Sequence, residues 1–314
     1  MADRLPHIVI AGFPKAGTST LYQWLYDHPE VGGPAGKEAM YFLDRDAIEF
    51  DPASNFLDHG ESGYQAFFTG EKCANARLLI EGSPAYVVMK TALEHLPAIS
   101  SQPHIIFVVR EPSAQIFSTH KYFSNTHNHL PAGMDFVSFI AAARAGDPAI
   151  ARNELCRDVL SNARYVDHLA KWQDRVGDAR MSVFVFEEMV AKDKQRDFMK
   201  ALAMRFGIDP GFYDTYEFPT ANESYVAKHA GLNRVMVGVR NRVIDAIGTD
   251  NWLYRTGRNF YRKQFTTTKA DKSGDEQALL AELKSHYKAA NEDLADRFKL
   301  DLKAWDEPRL EREA

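Results

Sequence analysis

Four stretches of the chain are apolar at consecutive rather than alternating positions: HIVIAG (7–12), LLIEGS (78–83), HIIFVVR (104–110) and MSVFVFE (181–187). Unbroken apolarity of this length predicts strands buried on both faces, the pattern of a parallel sheet covered by helices. Between these runs the apolar positions recur at helical spacing. That predicts helices over 18–27, 112–123, 156–175 and 188–205, and a last one over about 276–296 that ends near LDLKAW, with Leu302 and Trp305 packing back on the body. Strands and helices alternate, so the expected class is α/β, a central parallel sheet flanked by helices. Three polar, turn-rich stretches, about 43–76, 124–155 and 219–275, break the alternation and are expected to be irregular lid or substrate loops. No internal repeat or Pro/Ser-rich linker divides the sequence, which predicts a single domain over residues 1–314.

Composition narrows the picture. Hydrophobic residues make up 45% of the 314, ample for a core and too many for a disordered chain. A formal net charge of −5 argues against nucleic acid as a partner, since such binders carry a basic surplus. Cys73 and Cys156 form neither a disulfide framework nor a metal-ligand spacing, so they read as reduced thiols of a cytoplasmic protein, with no metal expected. The apolar run near the N-terminus is too short for a secretory signal, and no run reaches the length of a membrane span.

The first predicted strand runs into GFPKAGTS (12–19) and then into the first helix. Gly12, Gly17 and Ser19 fall where the nucleotide P-loop has its fixed residues, but Thr18 stands at the lysine position and the loop's lysine is Lys15. A strand, a Gly-rich turn and a helix N-terminus together bind anions, through outward backbone N–H groups and the helix dipole. Thr18, Ser19 and Thr20 add hydroxyl donors. Plain helix capping also uses Ser and Thr, yet it requires neither the paired glycines nor the lysine. A Mg-nucleotide site needs a lysine after the second glycine and a carboxylate at a strand end. Here HIIFVV ends in Arg110, a cation that repels a metal and attracts a second phosphate. The pattern predicts a metal-free site for an anion charged in two places.

FPKAGTSTLYQWLYDHPEV resembles the 5′-phosphosulfate loop of sulfotransferases that use 3′-phosphoadenosine-5′-phosphosulfate (PAPS), and VVREPSAQIFSTHKYF resembles their 3′-phosphate motif. KEAMYF (37–42), EGSPAYV (81–87) and the C-terminal stretch closing in Trp305 resemble further segments of the family, nearest to its carbohydrate and related bacterial branch. The resemblance implies that Pro14, Lys15, Ala16, Gly17, Thr18, Ser19 and Thr20 cradle the 5′-phosphosulfate and that Arg110 and Ser118 clasp the 3′-phosphate. Lys15 would stabilise charge on the bridging oxygen as the S–O bond breaks. Glu38 occupies the position of the glycan branch's catalytic base. The implied donor is PAPS, the product adenosine 3′,5′-bisphosphate (PAP), and the acceptor a hydroxyl or amine of a glycan or small molecule.

The sequence also departs from the glycan enzymes. Met40 replaces a common histidine, Gly82 a lysine that often precedes the Ser/Thr-Pro pair, Gln115 a second arginine and His120 a tyrosine. Glu81, Ser83, Tyr41 and His120 are further candidates for supporting the catalytic pair or meeting the acceptor. Tyr41, Phe42, Tyr64, Phe67 and Phe68 suit an acceptor cleft or, equally, a core. From the basic stretch RTGRNFYRKQF, Arg262 and Lys263 are candidates for the remaining nucleotide contacts. Two other readings stay open: a P-loop phosphotransferase with an atypical lysine, and a non-catalytic protein that binds a nucleotide or anion.

Overall fold

The computed structural model describes residues 4–125, 129–219, 226–227, 266–267 and 273–306. Strands β1 (Ile8–Gly12), β2 (Val31–Gly32), β3 (Leu78–Glu81), β4 (His104–Val109) and β5 (Met181–Val185) form one sheet in the order β2-β3-β1-β4-β5, every neighbouring pair parallel. All four predicted strands form. Three of them stop short of their predicted ends, because the chain turns away at Gly82, Arg110 and Phe186. β2 has two residues and no period to read.

The described residues of Met1–Gln115, Leu160–Ala221 and Leu283–Ala314 make one compact unit, which holds the sheet. Helix α1 (Thr18–Tyr26) follows β1, and Leu21, Trp24 and Leu25 pack against Ile8, Ile10, Ile106 and Val108. Alternate residues of the same strands, Val9 and Phe107, are also fully buried, and Trp172 meets the Phe107 ring at 5.3 Å. The sheet is therefore covered on both faces, as its unbroken apolarity required. The stretch 43–76, expected to be irregular, contains helix α2 (Phe56–Gln65), capped by Asn55, and a helical turn at Glu71–Asn75.

A second unit gathers the described residues of Ile116–Val159 and Asn222–Glu282. Helix α3 (Pro112–Asn125) starts in the first unit's residue range. Helix α4 (Phe136–Ala145) lies within the stretch expected to be a loop; Asp135 accepts from Ser138 N at its start and Gly146 ends it at a left-handed φ of 64°. Val226–Ala227 and Thr266–Thr267 pair as a short antiparallel ribbon. Most of 219–275, with Arg262 and Lys263, lies outside the described residues.

The helix predicted over 156–175 is broken. Asp158 and Arg164 leave helical backbone, so only α5 (Tyr165–Val176) is long; Cys156 and Val159 are buried in the second unit, Tyr165, Leu169 and Trp172 in the first. The next predicted helix likewise begins late, as α6 (Gln195–Phe206). The last divides at buried Tyr287, whose hydroxyl donates to Leu160 O at 2.7 Å, into α7 (Gly274–His286) and α8 (Lys288–Phe298). Trp305 packs back as expected, its indole N–H donating to Glu187 Oε2 at 2.8 Å. Among the described residues no helix is long and apolar enough to cross a membrane.

Candidate active site

The carboxyl ends of β3, β1 and β4 lie side by side, which is where open parallel sheets bind ligands. From β1 the chain turns through Phe13–Gly17 into α1. Gly17 takes a left-handed φ of 99°, and a Cβ there would stand 2.2 Å from the Phe186 ring, so the position requires glycine. Helix α1 has no side-chain cap and no acidic residue in its first turn. Thr20 N already donates to Gly17 O at 3.0 Å, while no side chain caps the N–H groups before it and no carboxylate of the first turn opposes the dipole. Polar side chains tie down the loop's carbonyls: Gln115 donates to Pro14 O at 2.8 Å and Arg110 to Lys15 O at 3.4 Å. Arg110 also lies 5.0 Å above the Phe186 ring that packs on Gly17. Gln115, a departure from the glycan enzymes, thus has a clear local task.

Cations converge on this turn. Burial pushes the Lys15 ammonium down to about 8, and Arg110 and then Lys37 push it the same way, while Glu38 opposes them. With Arg110 and Lys37 both close enough to disfavour the Lys15 charge, the turn favours an anion.

Lys37 and Glu38 stand on the segment Lys37–Phe42, which the end of β3 holds in place almost entirely through its backbone. Gly82 N donates to Lys37 O at 3.1 Å, Ala39 N to Glu81 Oε1 at 3.1 Å and Met40 N to Ser83 Oγ at 3.0 Å. Tyr41 N donates to the Tyr86 hydroxyl at 2.8 Å. Glu81 is fully buried; it also accepts from the hydroxyls of Ser83 and Tyr64, and burial raises it to about 7. The segment carries Lys37 Nζ to 3.0 Å from Glu38 Oε1, 3.2 Å from Ser19 Oγ and 3.4 Å from Thr18 Oγ1. Lys37 is not among the site residues that the sequence singles out. Its one visible signal was a lysine next to the proposed base, in a chain whose P-loop lysine position holds threonine.

A profile of the sulfotransferase domain matches residues 5–203, the span that contains the loop, the Lys37–Phe42 segment and Arg110. The chain belongs to the sulfotransferase family. It is 27% identical over 175 residues to the human bifunctional heparan sulfate N-deacetylase/N-sulfotransferase 3, covering 54% of this chain and 19% of that protein. To the human heparan sulfate glucosamine 3-O-sulfotransferase 3B1 it is 28% identical over 130 residues, 41% of this chain and 30% of the relative. The chain thus spans well under half the length of these curated relatives. The crystal structure of a sulfotransferase from Alicyclobacillus acidocaldarius superposes over 96% of this chain and 99% of its own, with a TM-score of 0.63 at 17% identity, a likeness of fold.

Within this sulfotransferase-family chain the remaining predicted residues fall into two groups. Pro14 and Ala16 are part of the turn, Thr18 and Thr20 are buried at the start of α1, and Ser19 is exposed there. Ser83 and Tyr41 are buried: Ser83 holds Met40, and Tyr41 stacks on Tyr64 at 5.2 Å while donating to Gly60 O. With Phe42 and Phe68 also buried, this aromatic group is core rather than an open cleft. Ser118 is buried on α3. His120 is buried in the second unit with Nε2 2.9 Å from Met134 O, and burial lowers its pKa.

Proposed function

We propose that the protein is a PAPS-dependent sulfotransferase that moves a sulfonate group to a hydroxyl, or an amine, of a glycan or other small acceptor and releases PAP. The observation that carries this reading is the convergence of Lys15, Lys37 and Glu38 at the uncapped N-terminus of α1. PAPS, when bound, supplies a sulfonate already activated by a phosphate leaving group. The donor set fits it: backbone N–H groups, hydroxyls and cations suit a phosphosulfate, while Arg110 is assigned the 3′-phosphate.

Glu38 is half-exposed and so accessible to an acceptor from solution. As the acceptor oxygen bonds to sulfur, Glu38 takes its proton. The electron pair of the breaking S–O bond passes to the bridging oxygen, which leaves on PAP. Lys15 meets the charge growing there, an electrostatic contribution made in the transition state. Glycan acceptors are favoured by the heparan sulfate enzymes among the relatives. A cytoplasmic, reducing location is supported by two buried cysteines without a disulfide.

The test is transfer of radiolabelled sulfonate from PAPS to a desulfated heparin-type polysaccharide, a simple sugar alcohol and a phenol. Wild type is expected to label at least one of them. Lys15→Ala and Glu38→Gln are each expected to lower the rate by about 10²-fold or more. Labelling that both variants leave unchanged would contradict the reading.

A further inference from the structure

Lys37 has more work than neutralising Glu38. Its ammonium reaches hydroxyls of two loop residues at 3.2 and 3.4 Å as well as the carboxylate at 3.0 Å, so it bridges the anion turn and the base. Its aliphatic stem lies over Gly82: a Cβ at that position would stand 3.0 Å from Lys37 Cε and 3.4 Å from Lys37 Cγ. The backbone locks the two residues together, Gly82 N donating to Lys37 O at 3.1 Å. A Cβ at 82 would meet the Tyr22 ring first, at 2.9 Å, and then the Lys37 stem, so the glycine leaves room for both the aromatic ring and the lysine.

We propose that Lys37 is the cation that grips the sulfonate end of the donor, entering over Gly82. This rests on the PAPS reading. A phosphosulfate carries one negative charge on phosphorus and another on sulfur, and one loop lysine at the bridging oxygen leaves the outer sulfonate oxygens to be met. Lys37 stands at the hydroxyls of Thr18 and Ser19, on the side of the turn that also holds Glu38. In the ligand-free chain its contact with Glu38 holds the carboxylate at the turn, and on donor binding Lys37 would exchange that partner for the sulfonate oxygens. The base is then released at the moment the acceptor needs it.

PAP lacks the sulfonate and carries the second charge on its 5′-phosphate instead, so comparing PAPS with PAP separates a cation at the sulfonate oxygens from one at the phosphate. Equilibrium binding of both would be measured for wild type, Lys37→Met and Lys37→Arg; methionine keeps the stem over Gly82 and removes the charge. The expected result for Lys37→Met is a PAPS affinity about tenfold or more weaker with PAP affinity within about threefold of wild type. Lys37→Arg is expected to retain most of the preference for PAPS. Equal weakening of both ligands by Lys37→Met, or no weakening of either, while wild type binds both, would overturn the proposal and leave the donor reading standing. Failure of wild type to bind either ligand would overturn both.

Discussion

At the residue scale the site depends on a lysine that is easily neutralised and a glycine that nothing can replace. Lys15 sits at about 8 because burial and two neighbouring cations disfavour its charge. A bound anion favours the charge, so the pKa rises in the complex. Affinity for PAP is therefore expected to be full below about pH 8 and to fall as pH climbs above it, with proton uptake on binding. Calorimetry in buffers of different ionisation enthalpy measures that uptake, and Lys15→Arg should flatten the profile because arginine stays protonated. Gly17→Ala forces an L-residue into a φ of 99° against the Phe186 ring. We expect a loss of about 1–3 kcal/mol in urea unfolding, together with weakened PAP binding.

At the scale of elements, the decisive connection is between β3's exit and the Lys37–Phe42 segment. Glu81 is raised to about 7, above its ordinary value of about 4.3. The folded state then binds more protons than the unfolded chain between those values, so this group lowers stability as pH rises from about 4.3 to about 7. Glu81→Gln is expected to remove that contribution, so that the wild-type minus variant difference in unfolding free energy falls over the window; a constant difference would contradict it. Glu81→Ala, which leaves Ala39 N–H without its acceptor, should cost about 1–3 kcal/mol and lower the transfer rate. The sequence offers Glu81 and Ser83 as supporting candidates but not the segment they hold. The loop and four strands announced themselves because their signals are contiguous, a run of apolar residues or a spaced pair of glycines. The hold on Lys37 joins residues 42 to 45 positions apart, and although its acceptors are the Glu81, Ser83 and Tyr86 side chains, its donors are backbone N–H groups, which leave no mark on residue type. The helices misread around 156–163 and 287 failed for a related reason. Helical periodicity says which positions are buried and not whether they are buried in one core, so Cys156 and Leu169 looked like one stripe.

At the scale of the molecule, one edge of the parallel sheet gathers Lys15, Lys37 and Arg110 around a single turn, with Arg110 at the end of β4. That edge was largely legible: the strand run, GFPKAGTS and the cation closing HIIFVV already specified a charge-dense site. The central claim is that the protein binds a nucleotide carrying two separate phosphates without a metal. The direct measurement is calorimetric binding of PAP, in the presence of a chelator, to wild type and to Arg110→Ala. The account predicts micromolar affinity for wild type and a loss of about 1.5–3 kcal/mol in the variant. Absence of PAP binding, or binding of ATP only when Mg²⁺ is supplied, would contradict it.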